Sequence, residues 1–530
     1  MKTFNIKSLL AIALAASVII SCKQDVITLA PPPGPQAPTG DKGNADFTKY
    51  VAIGNSLTAG FQAGALFTEG QNNSFPLILS KQFSIAQGTT LAFNQPDINS
   101  VNGYNSSYSN PTASVIRGRM ILFAADNVQA HALPTPSATP GVPAPYNTAE
   151  LPTAYTGDKT KLNNFGVPGI ILGQFLTPDT GNPAKAAYNG LWARFASQPG
   201  VKSILDDVLA AQPTFFTFDL GNNDVLGYAT NGGDNAGIPL TDQTAFATQY
   251  QLAIGGLMAG SSAKGVVTTI PYVTTIPFFL TVKYNPIPLD AATASYVTAN
   301  LANNYNAFLA GMKQAGVITD GELAKRTLKY SAGQNPILIS DETLTDLSPY
   351  MAGPYAGLLP YKMARQTTSA DLVPLTAGGI IGTLANPNDP TTVYGVAVPL
   401  ADKYILLPSE QTAIKNAIDG FNTTIKAVAA ANSTRIAVAD VNATFSNFIV
   451  QYATAGGIFE DNVLMQPTFA PPNGVFSEDG VHPNSRGYAY LANTIIDAIN
   501  SKFGATVPKA SLGAYTAAGF PYGPNGIIPF

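Results

Sequence analysis

The chain has 530 residues, enough to bury a large core, and is 45% hydrophobic but only 11% charged, against a usual charged share of about 25%. Its net charge of −4 offers no basic surface for nucleic acid, and no G-x-x-x-x-G-K-[ST] phosphate loop occurs, so nucleic-acid and nucleotide roles are disfavoured. Forty-eight glycines and 41 prolines predict many long, ordered loops.

At the N-terminus Lys2 and Lys7 precede an apolar stretch from Leu9 to Ile20, which meets Ser21-Cys22. This has the n-region and h-region of a secretory signal and is too short for a comfortable membrane span. The run Ile19-Ile20-Ser21-Cys22 resembles a bacterial lipobox, with residues 1–21 as signal peptide and Cys22 as the lipidated first residue of the mature chain. An ordinary signal peptide with an incidental thiol is the alternative. Cys22 is the sole cysteine, so a lipidated Cys22 leaves no disulfide and no cysteine-based metal site. Lys23 differs from an inner-membrane retention signal, which favours the outer membrane of the bacterial envelope, facing either the periplasm or the outside.

Residues 22–46 hold Pro31, Pro32, Pro33, Pro35 and Pro38 and read as an extended tether, with the folded body starting near Phe47. Strand, loop and helix then alternate. Buried parallel strands are expected at Tyr50–Ile53, Thr214–Leu220, Val266–Ile270 and Arg435–Val441. Helices are expected at 203–211, 243–260, 290–315 and 410–431, with Ile414, Ile418, Phe421, Ile425 and Val428 on one face of the last. A final helix follows Pro483, which suits a first helical turn, and carries the stripe Tyr488, Leu491, Ile495, Ile496 and Ile499. This alternation predicts an α/β fold with helices on both sides of a parallel sheet. Trp192 reads as core, and the tail 504–530 has no regular pattern.

Ser56, in Gly54-Asn55-Ser56-Leu57, stands where the first strand ends, the edge at which open parallel sheets place their ligands. Thr58 breaks the G-x-S-x-G elbow of a typical α/β-hydrolase. A serine nucleophile needs a base, and the chain has two histidines. His131 lies in a Pro/Ala-rich loop without acidic neighbours and reads as incidental. His482 lies in Ser477–Tyr488, SEDGVHPNSRGY, three residues after Asp479, which can hold one ring nitrogen while the other faces Ser56. A surface histidine beside a turn carboxylate is the alternative for that motif alone, yet D-x-x-H-P is a specific signal in a chain with so few histidines. Acyl transfer also needs donors for a developing oxyanion. The stretch LGNNDVLG at 220–227 offers the Asn223 amide, and NNFGVPGIILG at 163–173 offers the backbone N–H of Gly169, where a missing Cβ permits close approach. Each alone reads as a turn.

Together and in this order the four stretches resemble the blocks of the SGNH/GDSL hydrolase family. Ser56 then matches the nucleophile and one oxyanion donor, Gly169 and Asn223 the other two donors, His482 the base and Asp479 the acid that orients it. The resemblance implies a flavodoxin-like three-layer α/β/α sandwich and hydrolysis of a carboxylic ester, of lipid or O-acyl glycan, through an acyl-enzyme with no cofactor and no metal. Asn55 replaces the Asp that names GDSL enzymes; it keeps a carbonyl acceptor for holding the turn, so activity is expected to survive the difference.

The chain exceeds minimal members of the family through insertions at about 62–160 and 278–405 within a domain spanning 47–503. Their aromatic stretches, such as IPFFLTVKYNPIPL, suit walls of a substrate pocket or ordinary packing. The partners expected are an ester substrate and, through Cys22, a membrane, with no nucleic acid. The main competing class is a surface lipoprotein that binds glycan or lipid without turning it over. A metal-dependent phosphoesterase is weaker, because H-E-x-x-H is missing and only an oxygen-rich site remains.

Overall fold

In the computed structural model, residues 38–530 are described except 235, 518–520 and 529–530. The expected signal peptide, Cys22 and most of the expected tether lie outside the described residues. A first strand, β1 (Tyr50–Gly54), is buried along its whole length, as its apolar sequence requires. It pairs in parallel with β2 (Asn164–Gly166) on one side and β3 (Phe215–Asp219) on the other. Beyond β3 come β4 (Lys264–Thr268) and β5 (Ile436–Ala439), also parallel, giving the order β5-β4-β3-β1-β2. The four strands expected from apolar runs are all present. The fifth, β2, is three residues long and sits inside the stretch read as a turn; it is too short to show a pattern in sequence.

Helices alternate with these strands along the chain and flank the sheet. Helix α1 (Ser56–Ala59) is a single turn after β1, and α2 (Phe75–Gln87) follows it. The helices α3 (Ile204–Ala210), α4 (Asn223–Thr230), α5 (Gln243–Gly260) and α6 (Pro408–Ala431) occur along the path through β3 and β4. After β5 come α7 (Val441–Ala455) and α8 (Ser485–Phe503). Helix α8 packs with α2, while α5 packs with α3 and α6, which is the arrangement of a three-layer α/β/α fold. The chain steps from β1 outward to β2, then reverses through β3 to β5.

The apolar stripes read from sequence face this core. Ile414, Ile418, Phe421 and Ile425 of α6 are buried, and Phe421 stacks on Phe246 of α5 at 3.9 Å between ring centres. Tyr488, Ile495, Ile496 and Ile499 of α8 are fully buried, and so is Trp192. Helix α8 begins at Ser485, not at Pro483. Asn484 is its N-cap and accepts the Gly487 N–H at 3.1 Å, while Pro483 lies outside the helix in a bridge with Phe476.

Three boundaries differ from the sequence reading. Gly40–Phe530 form one compact unit, so the body starts before Phe47: Asn44 donates to the Phe503 carbonyl at 2.9 Å and Ala45 is buried. The first insertion is shorter than 62–160, because α2 belongs to the core; Phe83 stacks on Phe47 at 4.1 Å and covers β1 through Tyr50. The tail is packed too. Val507, Ala510 and Leu512 are buried, and Tyr522 pairs with Phe123 beside an antiparallel ladder of Met120–Phe123 with Leu133–Pro136. The second insertion has its own hydrophobic cluster, including Tyr305, Phe308, Ile339, Leu347 and Leu400. No helix among the described residues is long and apolar enough to cross a membrane.

Where the second insertion meets α6, Glu342, Asp402 and Glu410 bring carboxylate oxygens within 4.8 Å of one another. Burial first, opposed by the Leu407 N–H and reinforced by Glu342, pushes Glu410 from 4.5 up to about 8. A carboxyl whose folded-state value is raised holds its proton in the folded chain after the unfolded chain has lost it. Stability is therefore expected to fall as pH rises from 4.5 to about 8. Thermal unfolding across that range, with chelator present, should show a decline that is visibly flatter in Glu410→Gln; an unchanged slope would remove this cluster as its source.

Candidate functional site

The carboxyl ends of β1, β2 and β3 carry the polar residues singled out in the sequence. The strand order reverses between β1's steps to β2 and to β3, and such a reversal opens a crevice at the strand ends. Ser56 opens α1 directly after β1 and is 7% exposed. Asn55 caps this one-turn helix, its Oδ1 accepting the Leu57 N–H at 3.0 Å, and Gly60 ends it with φ of +79°. The carbonyl acceptor expected of Asn55 is thus in use, while its buried Nδ2 has no partner among the described residues.

Helix α1 lies almost on the backbone of β2. A Cβ at Gly166 would come within 2.3 Å of the Ala59 nitrogen, so this glycine is required for the close approach. Gly169 differs from Gly166 in what it needs a glycine for. Nothing lies within 4 Å of where its Cβ would be, and its φ is +81°; the glycine serves the left-handed backbone, not packing. The amide N–H groups of Ser56 and Gly169 have no hydrogen-bond partner among the described residues.

Asn223 opens α4 after β3. Its Nδ2 donates one hydrogen to the Ile170 carbonyl at 2.8 Å, which ties it to the residue after Gly169. Asp224 makes a second tie that the sequence reading passed over: its carboxylate accepts the Leu172 N–H at 2.9 Å and the Thr241 hydroxyl at 3.1 Å. Burial pushes Asp224 up to about 6 against those donors. The Asn-Asp pair after an apolar strand was the available signal, and only its first member was used.

His482 reaches Ser56 across 426 positions of sequence, with Nε2 2.9 Å from Oγ. Its Nδ1 is 2.8 Å from Asp479 Oδ2. A carboxylate can only accept, so Nδ1 carries the proton and the Nε2 lone pair accepts from the serine hydroxyl. The loop that holds the ring is folded around Asp479. Oδ1 accepts the backbone N–H groups of Val481 and His482, each at 2.9 Å, and Oδ2 also accepts the Gly64 N–H at 2.8 Å. Burial alone would raise the Asp479 carboxyl, but the facing His482 and these N–H donors outweigh it and hold it below the usual carboxylate range.

Ser477, also missed in sequence, locks the same loop from inside the core, where it is 2% exposed. Its Oγ accepts the Ala63 N–H at 2.8 Å and lies 2.9 Å from the His482 carbonyl and 3.1 Å from Asp479 Oδ1. Two phenylalanines brace the loop from outside. Phe61, just after α1, sets its ring 4.8 Å from that of His482, and Phe278, at the start of the second insertion, donates its N–H to the Gly480 carbonyl at 2.9 Å. An apolar groove of about 120 Å³ is lined among others by Leu57, Val481 and Pro483, the chain neighbours of Ser56 and His482, though not by those two residues themselves.

His131 is exposed and pairs with Asp126 at 2.6 Å, an acidic partner five residues upstream that the sequence reading did not count. No hydroxyl nucleophile contacts this pair among the described residues. The Glu342–Asp402–Glu410 cluster shares no residue with the Ser56–His482–Asp479 chain.

No protein-family model matches this chain, and no similar curated protein or solved structure was found.

Losing the cap that displays Ser56 has a definite cost. Asn55→Ala should destabilise the fold by about 1 kcal/mol, read as a lowered midpoint in denaturant, whereas Asn55→Asp keeps an acceptor oxygen and should hold Ser56 in place.

Proposed function

We propose that the chain is a serine ester hydrolase of the SGNH/GDSL kind, built on a flavodoxin-like α/β/α sandwich. The observation that carries this reading is the continuous hydrogen-bonded chain from Ser56 Oγ through the His482 ring to the Asp479 carboxylate. The strand order β5-β4-β3-β1-β2, with the site at its reversal, supports the fold reading.

In the proposed reaction Ser56 Oγ attacks the ester carbonyl carbon while His482 Nε2 takes the hydroxyl proton. The tetrahedral oxyanion would be held by the Ser56 and Gly169 N–H groups and by the free hydrogen of Asn223 Nδ2. Collapse breaks the bond to the alkoxide, which leaves with the proton from Nε2 and gives an acyl-Ser56 ester. Water, deprotonated by the same nitrogen, then attacks this ester and releases the acid and Ser56. Asp479 keeps Nδ1 protonated throughout and balances the imidazolium that forms. The groove beside Leu57 and Pro483 would give an apolar acyl group a surface to lie on. The lipid anchor at Cys22 and an outer-membrane location belong to the same proposal and rest on the N-terminal sequence.

Labelling with a fluorophosphonate probe tests the chemistry directly. The folded chain should label once, with the adduct on Ser56, and Ser56→Ala should not label. A folded chain that binds glycan or lipid yet never labels would instead be a binding lipoprotein.

Turnover of p-nitrophenyl esters should separate the roles of the other residues. His482→Ala is expected to lose several orders of magnitude in kcat, and Asn223→Ala about a hundred- to a thousand-fold. A near-normal Asn223→Ala enzyme would take that amide out of the oxyanion site.

A further inference from the structure

Behind the loop that carries Asp479 lies a second cavity, of about 210 Å³, whose lining includes Gln62, Arg119, Tyr146, Glu478, Ser485 and Tyr522. Glu478 stands between Ser477 and Asp479 in sequence, yet it belongs to this cavity and not to the hydrogen-bonded chain at Ser56. Among the described residues no other residue donates a hydrogen bond to its carboxylate and no ion pair holds it. Burial, the largest influence on it, pushes it up to about 7. Glu478 is half-buried and lines the cavity, so its carboxylate is open to a guest that can donate hydrogen bonds to it.

The group facing it is fixed in place. The Arg119 guanidinium sits 4.2 Å from the centre of the Phe67 ring and 5.0 Å from that of Tyr146, and its Nη1 pairs with Glu69 at 3.3 Å. Its side chain is 13% exposed. Tyr146 meets Tyr522 edge-on at 4.8 Å, which completes an aromatic wall. The nearby charges are one cation already paired and a second carboxyl, so the cavity disfavours an anion. Its lining mixes Glu478, Arg119 and Gln62 with apolar residues such as Met120 and Leu122, which disfavours a purely apolar guest. Its volume falls below the roughly 300–1,000 Å³ of clefts that hold drug-sized ligands.

We propose that this cavity is a binding site for a single polyhydroxylated ring of hexose size. A sugar ring carries hydroxyl donors for Glu478, hydroxyl acceptors for the N–H groups of Arg119 and the Gln62 amide, and an apolar C–H face for the tyrosines. A neutral polyol meets all three surfaces without adding charge. The site is separate from Ser56, and its occupancy does not depend on ester hydrolysis.

The test is a titration of the full chain with glucose, galactose, mannose and N-acetylglucosamine, read by saturation-transfer NMR and calorimetry. At least one should bind saturably in the millimolar range or tighter. Glu478→Gln and Tyr522→Ala should each weaken that binding by about tenfold, and Ser56→Ala should leave it unchanged. Should Glu478→Gln lose its native circular dichroism, Tyr522→Ala decides alone. The proposal is overturned if none of the four sugars saturates, or if binding is unaffected by the substitutions at the cavity. Because Ser56→Ala abolishes only the proposed chemistry, failed sugar binding and failed hydrolysis are read independently.

Discussion

The carboxylate of Asp479 gathers hydrogen-bond donors from both ends of the folded body, and the geometry of the site follows from that convergence. It accepts the N–H groups of Val481 and His482 within its own loop and the N–H of Gly64, 415 positions earlier in the chain. A bare carboxylate at this depth would be costly to desolvate; surrounded by donors it stays ionised and fixes the backbone that surrounds it. Gly64 follows closely after α1, so the same charge joins the Ser56 side of the crevice to the His482 side. The 2.9 Å contact between Ser56 and His482 is set by this junction as much as by the two residues themselves.

The sheet supplies the platform. Parallel strands all end on one edge, and β1, β2 and β3 deliver Ser56, Gly169 and Asn223 to that edge by short turns. The turns are then cross-linked. Asn223 binds the Ile170 carbonyl, Asp224 binds the Leu172 N–H, and Gly166 lets α1 settle onto β2. Residues around the loop add a second set of constraints. Phe61 packs on the imidazole, Tyr488 of α8 donates to the Phe61 carbonyl at 2.6 Å, and Phe278, where the second insertion starts, holds Gly480. A chain with so few charges places several of them inside, where each must find a partner; Arg365 with Asp341 and Asp371 does this for the second insertion.

The legible parts of the sequence were those with a period or a rare residue. Four buried strands declared themselves as apolar runs, and the stripes of α6 and α8 declared the faces that meet the core. His482 stood out because there was only one other histidine, and Asp479 because it lay three residues away. Residues whose role depends on a distant partner stayed silent. Ser477 is an ordinary serine until Ala63 is beside it, and Asp224 an ordinary acid until Leu172 is. Helix α2 went unread although Phe75, Ile78, Leu79, Phe83 and Ala86 share one buried face, because it lies in the Asn- and Ser-rich stretch expected to be an insertion.

Sequence alone determined the alternation of strand and helix, the four short stretches that hold Ser56, Gly169, Asn223 and His482, and the apolar run that precedes Cys22. These are local properties, written in the residues within one turn or one strand of each other. Tertiary structure decided the rest: that Ser56 meets His482, that Gly169 is chosen for a left-handed backbone and Gly166 for contact, that the tail joins the core, and that Glu478 turns away from its neighbour Asp479 into a separate cavity. The physical reason is the same in each case. Burial, hydrogen-bond satisfaction and charge depend on what lies within a few ångströms in space, and in this chain the decisive neighbours are separated by up to 426 positions.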